Sequence, residues 1–288
     1  KMMKDRNYVC HTYYHVYVTF LKELKRRAEA KKNGQDPGGA TLVLSMLSNN
    51  FENLKERVES TGLFEEVLMF DEKGEDNFPE LKELRKGGKG FFGNLWCRIR
   101  FTRSYAKLEE AYIPVNFREY KDVYVYCDSD PIGYYLNQKK IPYHAMEDGL
   151  NCLKNFDAAR YDNRGHFGLK VFLSRKLNLI FVQNGYGKYC IDMEVNDISA
   201  IRYPCPQYIE EPRQALVDRL TAEDKELILK AFIRDMERLK KQIEESNRVG
   251  DKILILTDPL CTLDVREQIF RDIIHRYEKE GTIFIKPH

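Results

Sequence analysis

The 288-residue chain has no apolar run near the ~18 residues that a membrane-spanning helix needs. Its longest apolar stretches, such as Leu42-Val43-Leu44 and Ile253-Leu254-Ile255-Leu256, have the length of strands. The first apolar segment carries His11, Tyr13, Tyr14 and His15, so it does not read as a signal peptide. No Gly-x-Gly-x-x-Gly follows the first strand-like segment, and there is no Walker lysine loop. Readings as a dinucleotide oxidoreductase or a P-loop kinase lose their support. A charge excess is missing too: 47 basic against 45 acidic residues leave a net charge of +2. That balance argues against a dedicated nucleic-acid binder. The seven cysteines (Cys10, Cys97, Cys127, Cys152, Cys190, Cys205 and Cys261) are widely spaced, with no Cys-x-x-Cys pair. They read as free thiols of a reducing compartment, several behaving as small hydrophobes in strand-like runs, without zinc or disulfides. No internal repeat or low-complexity tract is present.

What the chain does have is a sizeable apolar fraction, 43%, distributed as strand-like runs alternating with amphipathic helices. Strands are expected at about 8–10, 41–46, 67–70, 122–127, 142–146, 252–257 and 282–285. Helices are expected after the first strand to about residue 27, and at 53–61, 131–137, 167–177, 221–245 and 263–279. In the fourth strand Val and Tyr alternate; Asp130-Pro131 then offers a cap and a first-turn proline to the next helix. The alternation predicts doubly wound parallel sheets in two α/β units. The expected division is a first domain over 1–155, a connecting region over 156–205 and a second domain over 206–288.

Ligands of open α/β sheets collect beyond the carboxyl ends of the strands. Those ends carry His11-Thr12, Asp128-Ser129-Asp130, Glu147-Asp148-Gly149, Thr257-Asp258 and Lys286-Pro287-His288. Each has an ordinary structural reading alone. Glu-Asp-Gly is a common turn, and the proline after Asp128-Ser129-Asp130 favours helix capping over Mg²⁺ binding. His11 and His15 are spaced to meet on a first helical turn, but two histidines do not make a metal site.

Taken together, the segment Tyr143-His144-Ala145-Met146-Glu147-Asp148-Gly149 and the late Lys286-Pro287-His288 resemble bacterial sialyltransferases. Those enzymes share an Asp/Glu-Asp-Gly motif and a His-Pro motif. The closest likeness is to the lipooligosaccharide sialyltransferase family. Cys10-x-Thr12 and the run Asp128-Ser129-Asp130-Pro131-Ile132-Gly133-Tyr134-Tyr135-Leu136 look like that family as well. The resemblance implies two Rossmann-like domains facing a cleft (the GT-B type), the second expected to be incomplete at its C-terminal end. It implies inverting transfer of sialic acid from CMP-sialic acid to a hydroxyl of a glycan or glycolipid, in a bacterial cytoplasm. Peripheral contact with the inner face of the membrane and a homodimer are consistent with it, and no nucleic-acid partner is expected.

In this resemblance Asp148 is the base and His288 contacts the donor phosphate. Glu147 would raise the proton affinity of Asp148 by like charge. Gly149 would let the backbone turn beside the sugar. His11, Thr12, Asp128, Ser129, Asp130, Thr257, Asp258 and Lys286 would line the substrates. No metal or other cofactor is expected, because hydrogen-bond donors can stabilise a leaving phosphate. Two alternatives stay open: the same fold using a UDP-sugar, and a non-catalytic nucleotide-sugar or glycan-binding protein.

From residue 82 to 107 the basic residues Lys82, Arg85, Lys86, Lys89, Arg98, Arg100, Arg103 and Lys107 face only Glu83. Phe91, Phe92, Leu95 and Trp96 lie among them. The segment suits an anionic membrane or a charged glycolipid, and equally a solvated helix whose aromatics join the core.

Overall fold

The computed structural model describes residues 3–126, 128–129, 131–149, 158–246, 250–257 and 261–286. It falls into two compact units, Lys1–Phe232 and Ile233–His288. The first is α/β, a seven-stranded parallel sheet flanked by helices and compatible with a Rossmann-like fold. Its strands are β1 (Lys4–Cys10), β2 (Ala40–Ser45), β3 (Glu66–Phe70), β4 (Tyr120–Tyr126), β5 (Tyr143–Met146), β6 (Cys190–Val195) and β7 (Tyr208–Glu210). Its helices are α1 (Tyr13–Asn33), α2 (Leu54–Glu59), α3 (Pro79–Arg85), α4 (Gly90–Glu109) and α5 (Ile132–Gln138). They continue with α6 (Ala158–Asp162), α7 (Phe167–Arg175), α8 (Arg213–Asp218) and α9 (Ala222–Phe232).

The spatial order is β3-β2-β1-β4-β5-β6-β7. From β1 the chain winds outward through β2 and β3, then returns to β4 on the other side of β1. The carboxyl ends of β1 and β4 therefore form the crevice of a topological switch point. The two-residue period of a strand sorts side chains onto the two faces. Val9, Val43, Val125, Ala145 and Met193 share one core with Ile99, Ile132 and Leu136 of the helices. Tyr8, Cys10, Leu42, Leu44, Tyr124, Tyr126 and Met146 share the other with Val16, Phe20, Leu24, Leu54 and Ala231. Burial on both faces explains why the central strands read as apolar runs.

The helix over the second face has well-marked ends. Thr12 accepts the His15 N–H at 3.2 Å, and Gly34, in the left-handed conformation, closes α1 after Lys31 and Lys32.

The second unit contains α10 (Met236–Ser246), β8 (Asp251–Leu256), α11 (Leu263–Tyr277) and β9 (Gly281–Lys286). β8 and β9 pair in parallel from Asp251↔Gly281 to Leu256↔Lys286. Gly281 is required there, since a Cβ would lie 1.9 Å from the Asp251 carbonyl oxygen.

Three expectations change. The region 156–205 is not a connector: it supplies α6, α7 and β6, and β7 then extends the same sheet. The unit ends at Phe232 instead of near 155. β6 was hidden because Asp192 and Glu194 interrupt its apolar pattern; Asp192 pairs with His144, and Glu194 is buried against Lys22. The helical run over 221–245 breaks at 233–235, where the Asp235 side chain accepts the Arg238 N–H of the next helix at 2.9 Å. Finally, α5 begins at Ile132 with Pro131 just outside it, and Asp130 lies outside the described residues.

Among the described residues, no helix is long and apolar enough to cross a membrane.

Candidate active site

Two histidine–carboxylate pairs stand side by side at the carboxyl edge of the first sheet. β1 delivers His11, the Thr12 cap starts α1, and His15 follows one turn later. The His11 backbone N–H donates to His15 Nδ1 at 3.0 Å. With Nδ1 used as an acceptor, the proton of a neutral His15 sits on Nε2. Nε2 donates to Asp148 Oδ1, just beyond β5. The His15 ring stacks on Tyr126 of β4, with centroids 4.3 Å apart and planes 7° from parallel. Tyr126 is fixed in turn by its hydroxyl, 3.0 Å from Thr19 Oγ1.

The side chain of His15 is 1% exposed, whereas that of Asp148 is 41% exposed. Burial pulls the imidazole below its usual range, outweighing the carboxylate. Protonating Nδ1 would also set it against the His11 N–H, donor facing donor. Asp148 in turn is held below the usual carboxylate range, chiefly by the His15 hydrogen bond. The result is a neutral, buried donor and an ionised, half-exposed carboxylate.

The other pair is the reverse. His11 Nε2 lies 2.6 Å from Glu72 Oε2, just past β3, and Ser45 Oγ at the end of β2 donates to the same oxygen. Burial would lower the His11 pKa, but the Glu72 charge and hydrogen bond raise it above the usual range. Glu72 Oε1 is buried and has no hydrogen-bond partner among the described residues.

The remaining expected residues divide by what they touch. Glu147 points away from Asp148: buried, its Oε2 accepts the Asn196 N–H at 2.6 Å. The aspartate pKa is accordingly lowered by histidine and not raised by a neighbouring carboxylate. Asp128 is fully buried and braces the sheet. It accepts the Tyr143 hydroxyl at 2.9 Å and the Asn184 and Gly185 N–H groups at 2.5 and 3.3 Å. Burial lifts its carboxyl to about 6 despite those donors. Its oxygens are thus engaged by the protein and not turned to a substrate or metal. Ser129 contributes its carbonyl to the Gly133 N–H at 2.8 Å, and Thr12 serves as a cap. Gly149 has a φ of 157°, a conformation that residues with a side chain rarely adopt, and nothing lies within 4 Å of its Cβ position.

In the second unit Thr257 follows β8 and donates its N–H to the Lys286 carbonyl at the end of β9, 3.1 Å away. Asp258 and His288 lie outside the described residues.

Sequence reasoning noted the four-residue spacing of His11 and His15 but gave His15 no role, and it missed Glu72 and Ser45. Each imidazole serves its own carboxylate. Among the described residues, no three His, Cys, Asp or Glu side chains are grouped to hold a metal ion. Compared with protein-family models, with curated proteins and with solved structures, the chain matches none.

Proposed function

We propose that the chain is an inverting glycosyltransferase of the GT-B type that moves sialic acid from CMP-sialic acid to a hydroxyl of a glycan or glycolipid. The observation that carries this reading is Asp148, ionised and half-exposed beyond β5 while a buried, oriented imidazole holds its other face. The acceptor hydroxyl approaches the open side of the carboxylate. Its oxygen forms the bond to the anomeric carbon as the bond from that carbon to the CMP phosphate breaks. The phosphate keeps the electron pair and Asp148 takes the hydroxyl proton.

A carboxylate with a lowered pKa is a weak base towards a resting hydroxyl. Transfer therefore belongs late, when the new bond has made that hydroxyl acidic. His15 Nε2–H fixes the carboxylate and remains neutral throughout. Thr257, Asp258, Lys286 and His288 are the expected donor contacts, three of them adjoining the β8–β9 pair of the second unit in sequence. In this reading Lys286 and His288, without a metal ion, meet the charge of the departing phosphate.

The test is isothermal titration of the chain with CMP and CMP-sialic acid, with UDP as comparison. Cytidine-selective binding that weakens in His288→Ala supports the reading. UDP-selective binding keeps the transferase and changes the donor. An absence of nucleotide binding removes both.

A further inference from the structure

A separate cavity of about 280 Å³ lies between α4 and α7, away from Asp148 in its lining. Its apolar surface comes from Phe91, Leu95, Leu169, Leu173 and Ile180. Arg98, Arg164 and Lys170 line it as well, and among the described residues no carboxylate does. Arg98 is tied to neutral groups, the Asn163 Oδ1 at 2.5 Å and the Phe181 carbonyl at 3.2 Å. Lys170 donates to the Arg164 carbonyl at 3.2 Å, and Arg164 lies over the Tyr161 ring at 4.0 Å. Burial and the Arg98 charge both lower the Lys170 pKa.

Large apolar side chains of α4 and α7 are exposed near in sequence to the residues that line this cavity. Phe92 and Trp96, one turn apart on α4, are 82% and 59% exposed, and Phe91 is 52% exposed. Leu169 and Phe172 on α7 are exposed as well. Phe91 packs edge-on against His166, with centroids 6.4 Å apart, joining the two helices into one face. Lys89, Arg100 and Arg103 add exposed positive charge along α4.

We propose that this face docks on an anionic phospholipid bilayer, with Phe92, Trp96 and Phe172 entering the interface and a lipid phosphate seated among Arg98, Arg164 and Lys170. Large apolar side chains rimmed by cations are the composition of an interfacial anchor. The leucine and isoleucine walls favour hydrocarbon over the stacked bases of a single-stranded nucleic acid, which would call for aromatic platforms throughout. A cavity of this size, at the lower end of ligand pockets, suits a headgroup with the start of a chain and not a whole lipid. The proposal stands independently of the transfer reaction.

Trp96 is the only tryptophan of the chain, so its emission reports this face alone. The full chain is mixed with vesicles of phosphatidylcholine alone, or of phosphatidylcholine with phosphatidylglycerol, at low salt. Binding is read by co-sedimentation and Trp96 fluorescence. The expected result is a blue shift and co-sedimentation with the anionic vesicles only, lost on raising the salt. Arg164→Glu with Lys170→Glu weakens binding roughly tenfold or more. Phe92→Ser, at a position too exposed to support the fold, weakens it while leaving the circular dichroism spectrum unchanged. Unshifted Trp96 emission with anionic vesicles overturns the proposal. So does equal binding to neutral vesicles, or binding of a single-stranded oligonucleotide without any vesicle binding.

Discussion

His11–Glu72 and His15–Asp148 use the same two chemical groups, one helical turn apart, and reach opposite charge states. In the first the carboxylate is sealed in and the imidazole is driven towards the charged form. In the second the imidazole is sealed in, kept neutral by burial and by the N–H it accepts at Nδ1, and the carboxylate reaches solvent. Glu109 shows what happens to a carboxyl in a dry site with no imidazole. It is fully buried, accepts one backbone N–H from Lys73 at 3.0 Å, and is pushed up to about 7. Which partner is buried, and what else holds it, decides whether the pair is structural or available for chemistry. Of Glu72, Asp148 and Glu109, only Asp148 combines ionisation with access.

The largest expected effect of breaking this comparison is on turnover. Asp148→Asn keeps the hydrogen-bonded shape and removes the proposed base, so the proposed sugar transfer is expected to fall by about 10²–10⁴-fold, with denaturation midpoints nearly unchanged. Glu72→Leu leaves His11 without its counter-charge in a buried site and costs about 3 kcal/mol in chemical denaturation.

The milder Glu72→Gln returns His11 to an ordinary or lower pKa, measured by proton NMR of the ring. In the parent protein the raised His11 pKa contributes stability below the unfolded value near 6.5, and that contribution is lost as pH rises through the folded value. Glu72→Gln flattens this alkaline loss. His15→Phe, which keeps a ring but offers no donor, acts on the other pair. It lets the Asp148 pKa return upward, so the acid limb of the turnover profile moves to higher pH. A merely structural role for His15 would lower activity without moving that limb.

The smallest effect is on the control carboxyl. Glu109 binds its proton more tightly folded than unfolded, so its contribution to stability falls as pH rises from about 4.5 to about 7. Glu109→Gln removes that slope and is the more stable form at pH ~8, by roughly 2 kcal/mol.

How far the sequence revealed these features follows from range. The central strands were legible because burial on both faces makes them continuous apolar runs, and the α/β class followed from their alternation with helices. β6 and β7 were not legible: Asp192 and Glu194 look like loop residues until His144 and Lys22 are seen opposite them. The same holds for the site. Asp148 was visible because it follows a strand directly. Its partner lies 133 residues earlier in the chain, and no local pattern links the two. Asp128 looked like a substrate contact for the same reason that Asp148 did, its place after a strand. Only the Tyr143 hydroxyl and the 184–185 loop show that it faces inward. Position along a strand locates an edge, and the burial of each side chain then selects which edge residue is free to act.

The most direct test of the account is release of CMP from CMP-sialic acid in the presence of a panel of glycan and glycolipid acceptors, by the full chain and by Asp148→Asn. The account predicts acceptor-dependent CMP release by the parent and a loss of about 10²–10⁴-fold in the variant. Equal turnover by both proteins would contradict the assignment of Asp148, and a parent protein that binds the donor yet never turns it over would contradict catalysis itself.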